Sequence, residues 1–374
     1  MSKNRKNVSA SPPAHHLSHP SARRPGVRPP TRKAVAVELT FLPGLGEIVA
    51  DEASRLLTIG PATPVPGRDD AVEVALVGPL SDVVELRTPV AAFVVLRFDV
   101  PRPKSLTSGD HLQRIIDAVG WSLKVARSSS FRFEAAGSDT PVFTRLAGLL
   151  SEATGLTYDE HAGDLVIRVR RGVTAGPSGD PGWDVLVRIG PRPLSARTWR
   201  VADYPGAVNA TIAAAMVRLG GVQATDRVLN LMCGSGTLLV ERLLAGPAAD
   251  AVGVDTSAKA VTAATANLTA AGVTAQVLLG DALVAVDGAF DLLLADPPWG
   301  DLHGSHDRNA ELHAGLLAAA YEAAAPGARF VVLTHEIKIM ERALRAADAQ
   351  WRVRDEVRVF AKGHHPRIYV LDRT

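Results

Sequence analysis

The sequence has little of what defines several protein classes. Cys233 is the single cysteine among 374 residues, which excludes an intramolecular disulfide and a multi-cysteine zinc site. No run of about 18 uncharged apolar residues occurs, so no membrane span is predicted. The lone thiol is typical of a reducing compartment, and we expect a cytoplasmic protein. With 47% hydrophobic and 21% charged residues, the composition is that of a globular protein with a large core.

Acidic residues are absent from residues 1–33, which carry eight lysines and arginines and six prolines. Because this segment has no apolar run that could enter a core or act as a secretory signal, we expect a disordered basic tail. The rest of the chain is mildly acidic, with 33 basic and 39 acidic residues. Three roles stay open for the tail: a solvated extension, sequence-independent phosphate binding, or an organellar transit peptide.

The hydrophobic pattern predicts three structured regions after the tail. Residues 34–104 and 105–191 are each predicted to be a small α+β unit. Residues 192–374 alternate strands with helices, and several of these strands are almost continuously apolar, as in a parallel sheet buried on both faces. The last two predicted strands, 353–360 and 367–371, are expected to form an antiparallel hairpin. The fold class is therefore α/β, with an α+β half preceding a doubly wound domain.

A glycine-rich turn, residues 233–236, follows an apolar strand and precedes a helix. Glycines let a ligand approach the backbone, and helix N-terminal amides favour an anionic group. No Gly-Lys-Ser/Thr follows, and Leu239 stands where a third glycine would complete G-x-G-x-x-G, so neither phosphate-binding fingerprint is present. By itself the turn is also compatible with a plain strand–helix connection.

Acidic residues end the next two predicted strands. Asp255 lies 21 residues after Gly234, about the spacing at which an acid binds ribose hydroxyls in doubly wound folds. Asp281 ends the strand after that. Together with the glycine turn, these acids predict an adenosine-type site. A helix cap with Ser257 is an alternative role for Asp255, and it is compatible with ligand binding.

A second motif, Asp296-Pro297-Pro298-Trp299, ends a buried strand. The two prolines remove two backbone donors, which leaves carbonyl oxygens and a carboxylate facing a group that donates hydrogens. The indole offers a surface for stacking. An exocyclic amino group on a planar base matches this description, because hydrogen bonds from its N–H groups would return electron density to the nitrogen.

The two motifs together resemble those of class I S-adenosylmethionine-dependent methyltransferases that act on amino groups. Over about residues 34–374 the chain is similar, more narrowly, to THUMP-domain RNA guanine-N2 methyltransferases. Residues 42–48 resemble the start of that family's ferredoxin-like N-terminal domain, and residues 105–191 resemble its THUMP domain. Residues 197–211 and 363–371 resemble the lead-in to the catalytic domain and its closing strand. The resemblance implies a Rossmann-like methyltransferase domain at 192–374.

The resemblance also implies site residues and a cofactor, S-adenosyl-L-methionine, with no metal. The implied cofactor-binding residues are Asn230, Cys233, Gly234, Ser235, Gly236, Thr237, Asp255, Asp281 and Asp296. The implied catalytic residues, which would hold the guanine, are Asp296, Pro297, Pro298 and Trp299. Family members often have Asp at the position of Asn230, near the cofactor's ammonium; the asparagine keeps hydrogen bonding but loses a charge pair.

Arginines cluster at residues 165–200, and arginine binds phosphate with two parallel hydrogen bonds. We expect tRNA, or another structured RNA, to be held there by Arg168, Arg170, Arg171, Arg197 and Arg200. A solvated strand face is the alternative interpretation. Among the histidines, His303, His306 and His313 are expected in a solvated loop rather than at a metal.

The predicted function is therefore methyl transfer to N2 of a guanosine in tRNA. The alternatives are an adenine-N6 methyltransferase on DNA or RNA, and an rRNA guanine-N2 methyltransferase. A non-catalytic RNA-binding protein that keeps the fold is the alternative from another class.

Overall fold

Two β-sheets organise the chain in the computed structural model. It describes residues 34–284, 286–298, 306–361 and 363–374, so the predicted basic tail and Trp299 lie outside the described residues. Residues 34–374 belong to one unit by their internal contacts.

The first sheet has eight strands in the order β2-β3-β1-β4-β8-β7-β5-β6. In chain order they are β1 (Val35–Thr40), β2 (Thr63–Pro64), β3 (Ala71–Leu76), β4 (Ala91–Phe98), β5 (Ser130–Ala135), β6 (Thr157–Tyr158), β7 (Leu165–Arg171) and β8 (Trp183–Arg188). Its helices are α1 (Gly46–Leu56), α2 (Gly109–Val125) and α3 (Pro141–Thr154), with 3-10 turns at Leu80–Glu85 and Pro103–Thr107. The apolar sides of the three helices share one core with the Val37 and Leu39 face of the sheet.

Strand β4 joins the two predicted α+β units. It pairs antiparallel with β1 on one side and with β8 on the other, so residues 34–104 and 105–191 contribute to one continuous sheet. Seven of its eight residues are buried, and only Arg97 is exposed. A strand that is apolar on both faces is suited to the middle of a covered sheet rather than to an edge. The domain boundaries at 104/105 and 191/192 stay predictions.

The second sheet has seven strands in the order β11-β10-β9-β12-β13-β15-β14. They are β9 (Arg227–Leu231), β10 (Asp250–Asp255), β11 (Gln276–Leu279), β12 (Phe290–Ala295), β13 (Ala324–Thr334), β14 (Trp351–Arg358) and β15 (Arg367–Arg373). The accompanying helices are α4 (Ala210–Gly220), α5 (Thr237–Ala245), α6 (Ala258–Ala271), α7 (His306–Ala323) and α8 (Ile337–Ala346).

Strands β9 to β13 of this sheet are parallel, whereas β15 is antiparallel to both β13 and β14, which confirms the predicted terminal hairpin. Along β9, Val228 faces one core and its neighbour Leu229 faces the other. Strands buried on both faces explain the continuous apolar runs in the sequence. Strand β13 begins at Ala324, and its register against β12 is irregular over its first residues.

A buried carboxylate links the two sheets. Glu241 on α5 has a fully buried side chain that accepts hydrogen bonds from Arg87 Nε at 2.6 Å and from Arg197 Nε at 2.8 Å. Arg87 precedes β4, while α5 directly follows the glycine-rich turn. An unpaired buried charge is costly, so separating Arg87 and Arg197 from Glu241 would be unfavourable. The triad therefore stabilises the contact between the first sheet and helix α5 of the second sheet's layer.

Candidate active site

The carboxyl ends of the parallel strands border one cavity of about 710 Å3. The chain order reverses between β9 and β12, and ligands of open α/β sheets bind at such a reversal. The two predicted motifs both reach the cavity. Of the predicted residues, its lining includes Cys233, Gly234, Ser235, Thr237, Asp255, Asp281, Asp296, Pro297 and Pro298.

The glycine turn adopts left-handed backbone conformations that its glycines permit. Gly234 has φ +53° and Gly236 has φ +75°. A Cβ at Gly236 would also lie 3.1 Å from the Ala264 side chain on α6, so this glycine serves packing and does not line the cavity. Met232, a lining residue, has φ 51°, which a side chain makes unfavourable. Strain of this kind, about 1 kcal/mol, is typical of functional turns.

The two predicted acids hold backbone beside the cavity. Asp255 Oδ2 accepts from Gly234 N at 2.8 Å, and its Oδ1 accepts from Ser257 N at 2.9 Å. The Asp255 carboxylate thus connects the glycine turn to the start of α6 by hydrogen bonds, and Asp255 also lines the cavity. Asp281 Oδ1 accepts from Leu283 N at 2.9 Å, which leaves Oδ2 for another donor. The cap role and the ligand role proposed for Asp255 are therefore geometrically compatible.

Two buried oxygens near the turn have no hydrogen-bond partner within the described part of the chain. They are Ser235 Oγ, which belongs to a lining residue, and Asn230 Oδ1. Asn230 lies within the sheet, where its Nδ2 donates to Leu231 O and Leu294 O, and it does not itself line the cavity. A buried unsatisfied oxygen is costly, so Ser235 Oγ, which lines the cavity, suits a ligand with hydrogen-bond donors.

A further part of the cavity wall comes from the segment between the two sheets, which was expected only as the lead-in to the catalytic domain and not as part of the site. Residues 204–208 line the cavity, and Tyr204 approaches to 3.9 Å from the position of a Cβ built on Gly234. The available signal was the Tyr-Pro-Gly turn immediately before α4, whose N-terminus is capped by Asn209.

Asn267 on α6 was also missed. Its side chain is fully buried and makes four hydrogen bonds of 3.0 Å. Oδ1 accepts from the amides of Val201 and Ala202, while Nδ2 donates to the carbonyls of Ala202 and Ser235. The asparagine therefore connects the cavity wall segment to the glycine turn.

Cys233 lines the cavity but is only 7% exposed. Burial, with a smaller contribution from the negative charge of Asp255, raises the pKa of its thiol to about 12. A thiol with this pKa is neutral at physiological pH and is a poor nucleophile. The cysteine therefore contributes shape and contact to the cavity rather than covalent catalysis.

The arginines predicted to bind RNA are engaged within the protein. Arg168 pairs with Glu134, Arg170 with Glu38, and Arg171 with Asp180, each with an N–O distance of 2.6–2.9 Å. These three sit on or beside the sheet face opposite the helices, and their binding role stays a prediction.

For one of the predicted arginines, Arg197, the structure corrects the RNA-binding assignment. Its side chain is 6% exposed, pairs with Glu241, and donates from its other two nitrogens to Leu194 O and Arg87 O. Arg197 therefore serves the junction between the sheets, and its guanidinium is not available to a phosphate. Arg200 Nη2 donates to Val208 O and to Thr237 Oγ1, both at 3.0 Å, which connects the cavity wall to the start of α5. Because Arg200 is only half-buried, its role in RNA binding stays a prediction.

The expectation of a solvated loop is wrong for His313. This residue lies on α7, is 1% exposed, and has its Nδ1 2.8 Å from Asn309 O and its Nε2 2.9 Å from Thr334 Oγ1. A carbonyl only accepts, so Nδ1 carries the hydrogen and Nε2 accepts from the threonine. Burial lowers the pKa of this imidazole. His303 lies outside the described residues, and no group of three or more His, Cys, Asp or Glu in the described chain could hold a metal ion.

A family comparison assigns this architecture. Residues 197–367 match the model of the UPF0020 family, described as an RMKL-like methyltransferase domain. Residues 197–367 are therefore similar to a methyltransferase domain of this family. The matched residues run from Arg197 at the sheet junction to the first residue of β15, so they include both motifs and the cavity.

Several relatives of this methyltransferase domain carry related names. A tRNA (guanine(6)-N2)-methyltransferase of Thermus thermophilus is 28% identical over 90% of this chain and 99% of its own length. The bovine protein named tRNA (guanine(6)-N(2))-methyltransferase THUMP3 is 28% identical over 46% of this chain, and that match spans 37% of the relative. A Methanothermobacter thermautotrophicus tRNA (guanine(10)-N2)-dimethyltransferase is 33% identical over 33% of this chain, again spanning 37% of the relative.

Solved structures match over both halves of the chain. TrmN from Thermus thermophilus superposes with a TM-score of 0.71 at 25% identity, covering 91% of this chain and all of its own. SMU.472, a protein of 13% identity crystallised with S-adenosylhomocysteine, covers 90% of this chain with a TM-score of 0.63 and shares the fold. The solved structures confirm the predicted Rossmann-like fold, and the family match together with the Thermus thermophilus relative bears out the predicted enzyme class and its cofactor, S-adenosyl-L-methionine. None of the described helices of the methyltransferase has the length and apolarity needed to cross a membrane.

Proposed function

We propose that this protein transfers a methyl group from S-adenosyl-L-methionine to N2 of a guanosine in tRNA. The observation that carries the proposal is one cavity lined by both the glycine turn and Asp296-Pro297-Pro298. The relative from Thermus thermophilus, named for guanine-N2 methylation of tRNA, aligns with both halves of the chain and supports the choice of base and RNA. The proposed cofactor contacts are the turn, Asp255 and Asp281; the proposed catalytic residues are Asp296, Pro297, Pro298 and Trp299.

The proposed chemistry relies on hydrogen-bond acceptors. Pro297 and Pro298 have no N–H, so the end of β12 presents the Asp296 carboxylate and carbonyl oxygens to the cavity. Two acceptors match the two N–H bonds of a guanine N2 amino group, hold it in place, and raise the electron density on its nitrogen. A bound S-adenosylmethionine supplies the electrophilic methyl group on its sulfonium. As the nitrogen gains the methyl group it loses one proton, and the Asp296 carboxylate is the nearby base.

Direct transfer is the mechanism that this site favours. A covalent route would need a nucleophilic side chain in the cavity, and the Cys233 thiol, with its pKa raised by burial to about 12, is not ionised at neutral pH. The residues therefore contribute positioning and polarisation. A target base in a paired region would have to leave its stack to reach Asp296.

The test is incubation of the full chain with isotope-labelled S-adenosylmethionine and unmodified bulk tRNA, followed by nucleoside mass spectrometry. Labelled N2-methylguanosine is the expected product, and Asp296→Asn serves as the inactive control. Labelled N6-methyladenosine would overturn the choice of base while keeping the site. Product on ribosomal RNA but not tRNA would overturn the choice of RNA. Absence of calorimetric S-adenosylhomocysteine binding would favour the non-catalytic alternative.

A further inference from the structure

A basic concavity of about 560 Å3 lies on the first sheet's helical layer, away from the methyltransferase domain in sequence. It is lined by Arg102, Lys104 and Arg145 together with Ser105, Thr107, Ser108 and Pro101. No acidic side chain belongs to the lining. The three cations and the hydroxyls of Ser105 and Ser108 are donors that suit a phosphate and no cationic or apolar ligand, whereas the Thr107 hydroxyl already donates to Lys104 O at 2.8 Å.

These three cations differ from the arginines of the sheet face. Across the described ranges, neither Arg102, Lys104 nor Arg145 has an ion pair or a side-chain hydrogen bond, and all three are exposed. Arg168 and Arg170, by contrast, form ion pairs with Glu134 and Glu38. Like charges held together without acids raise the local potential, and an anion relieves it.

The scaffold of the concavity is fixed by the core. Leu106 of the 3-10 turn Pro103–Thr107 is fully buried, and Leu146, next to Arg145, is 1% exposed. These anchors hold Lys104 and Arg145 on neighbouring elements at one site. Ser108, the N-cap of the 17-residue helix α2, makes no side-chain capping bond, so its hydroxyl remains a donor for a ligand.

We propose that Arg102, Lys104 and Arg145 form a binding site for backbone phosphates of the substrate RNA. This inference rests on the proposed function for its choice of RNA as the source of phosphate. The site would contribute affinity and orientation without reading sequence, because phosphates are the same at every nucleotide. It takes the place of Arg197, whose side chain is 6% exposed, in the proposed contact surface.

The test compares two triple variants of the full chain that lose the same charge. R102A/K104A/R145A removes the site, whereas K338A/R342A/R345A removes one lysine and two arginines from exposed positions around α8 that also have no ion pair in the described chain. Affinity for unmodified tRNA is measured by fluorescence anisotropy at several salt concentrations. The site variant should lose at least ~10-fold in affinity and reduce the salt slope by about 2.7, since each of the three lost phosphate contacts removes roughly 0.9. The α8 variant should stay close to wild type.

Equal losses of tRNA affinity in the two variants would overturn the proposed site, because net charge alone would explain the effect. Unchanged tRNA affinity in the site variant would also overturn the proposal. Calorimetric S-adenosylhomocysteine affinity should be the same in all three proteins, which verifies folding. The proposed function is tested separately by the N2-methylguanosine formed by the wild type. If the wild type binds tRNA through these cations but forms no N2-methylguanosine, the proposed function is rejected and the phosphate site is retained.

A second inference rests on the hydrogen bonds of Asn267. The geometry points to Asn267 as a positioning residue for the cofactor cavity. Its buried amide hydrogen-bonds Val201 and Ala202 on one side and the Ser235 carbonyl on the other, so it sets the distance between the wall segment and the glycine turn. Val201 and Ala202 lead directly into the wall residues 204–208. Asn267 is not proposed to contact the RNA base, because its side chain is buried and bonded to backbone atoms of Val201, Ala202 and Ser235.

Asn267→Asp separates the two halves of this contact. A carboxylate can still accept from the amides of Val201 and Ala202 but cannot donate to Ser235 O. We expect Asn267→Asp to weaken S-adenosylhomocysteine binding at least ~10-fold by calorimetry, with slow hydrogen exchange retained at the two amides. Asn267→Leu should lose both. Thr265→Ala, an exposed change on the same helix, is the control. Wild-type cofactor affinity in both Asn267 variants would refute a positioning role. A loss of tRNA affinity as large as the loss of cofactor affinity would also refute it, because that result would indicate a general loss of stability.

Discussion

At the residue scale, Asp296 has the most defined proposed role. It ends β12 and lines the cavity, half-buried, beside two prolines that have no backbone donor. Asp296→Asn keeps the volume but replaces one acceptor with a donor. We expect kcat to fall at least ~100-fold, the usual effect of losing a catalytic hydrogen-bonding group. The dissociation constant for S-adenosylhomocysteine should change less than about threefold, since the proposed contact is with the base.

A matched control for this change lies on the same strand. Asp291, near the other end of β12, accepts from Arg227 N at 2.8 Å. Asp291→Asn should alter stability slightly and leave kcat within about twofold of wild type. Steady-state kinetics with tRNA measure both variants, and full turnover by Asp296→Asn would remove that residue from the mechanism.

Cys233 yields a second prediction at this scale. Burial raises the pKa of its thiol to about 12, so almost none is thiolate at pH 8. Allowing for the greater nucleophilicity of a more basic thiolate, alkylation by iodoacetamide should be at least ~50-fold slower than in the unfolded chain. Because this is the single cysteine, mass spectrometry reads the site directly, with the guanidinium-unfolded protein as reference. Equal rates in the folded and unfolded proteins would contradict the buried thiol.

At the element scale, His313 connects α7 to the end of β13. Burial lowers the pKa of the imidazole below its ordinary 6.5, so the unfolded state binds a proton at higher pH than the folded state does. The stability that His313 contributes is therefore complete above about pH 6.5 and is lost as the pH falls toward the folded-state pKa. The unfolding free energy should decrease by up to about 1.4 kcal/mol per pH unit from this residue.

Denaturant titrations between pH 7.5 and pH 5 test this dependence. His313→Gln should show a shallower decrease than wild type. His161→Gln, a change at an exposed position, should follow the wild-type curve. A parallel decrease in all three proteins would assign the acid sensitivity to other groups.

The elements themselves were largely predictable. The bounds of helix α3, 141–154, and of strand β12, 290–295, follow from the sequence, because each has a strong local pattern and clear turn residues at its ends. The start of β13 does not follow from the sequence, because its first residues include Pro326 and Gly327, which are unfavourable in a regular strand. The cavity wall at 204–208 was missed because a loop has no periodicity that marks it as part of a site.

At the scale of the whole molecule, the Glu241 triad joins the two sheets. Its carboxylate is fully buried, and Arg197 is 6% exposed, so removal of the acid leaves a buried cation without a partner. We expect Glu241→Ala to lower the unfolding free energy by about 3 kcal/mol. Glu241→Gln, which keeps two hydrogen-bonding atoms, should lose less.

An exposed ion pair gives the comparison. Arg352 pairs with Asp372 at 3.3 Å, and its side chain is 75% exposed. Arg352→Ala should cost less than about 0.5 kcal/mol. Urea denaturation measures all three variants, and a loss below about 1 kcal/mol for Glu241→Ala would show that the junction does not depend on this carboxylate.

The order of strands and helices, the two motifs, and the family they resemble can be derived from the sequence alone, because these depend on residues within a few turns of one another. Which polar groups are already satisfied depends on the tertiary structure. Arg170 pairs with Glu38 across 132 residues of sequence, and Arg87 with Glu241 across 154. Charge in a sequence window reports how many cations exist, whereas burial and ion pairing decide which of them can bind a ligand. The same reason left Asn267 and His313 unrecognised, since their roles follow from partners brought near by folding.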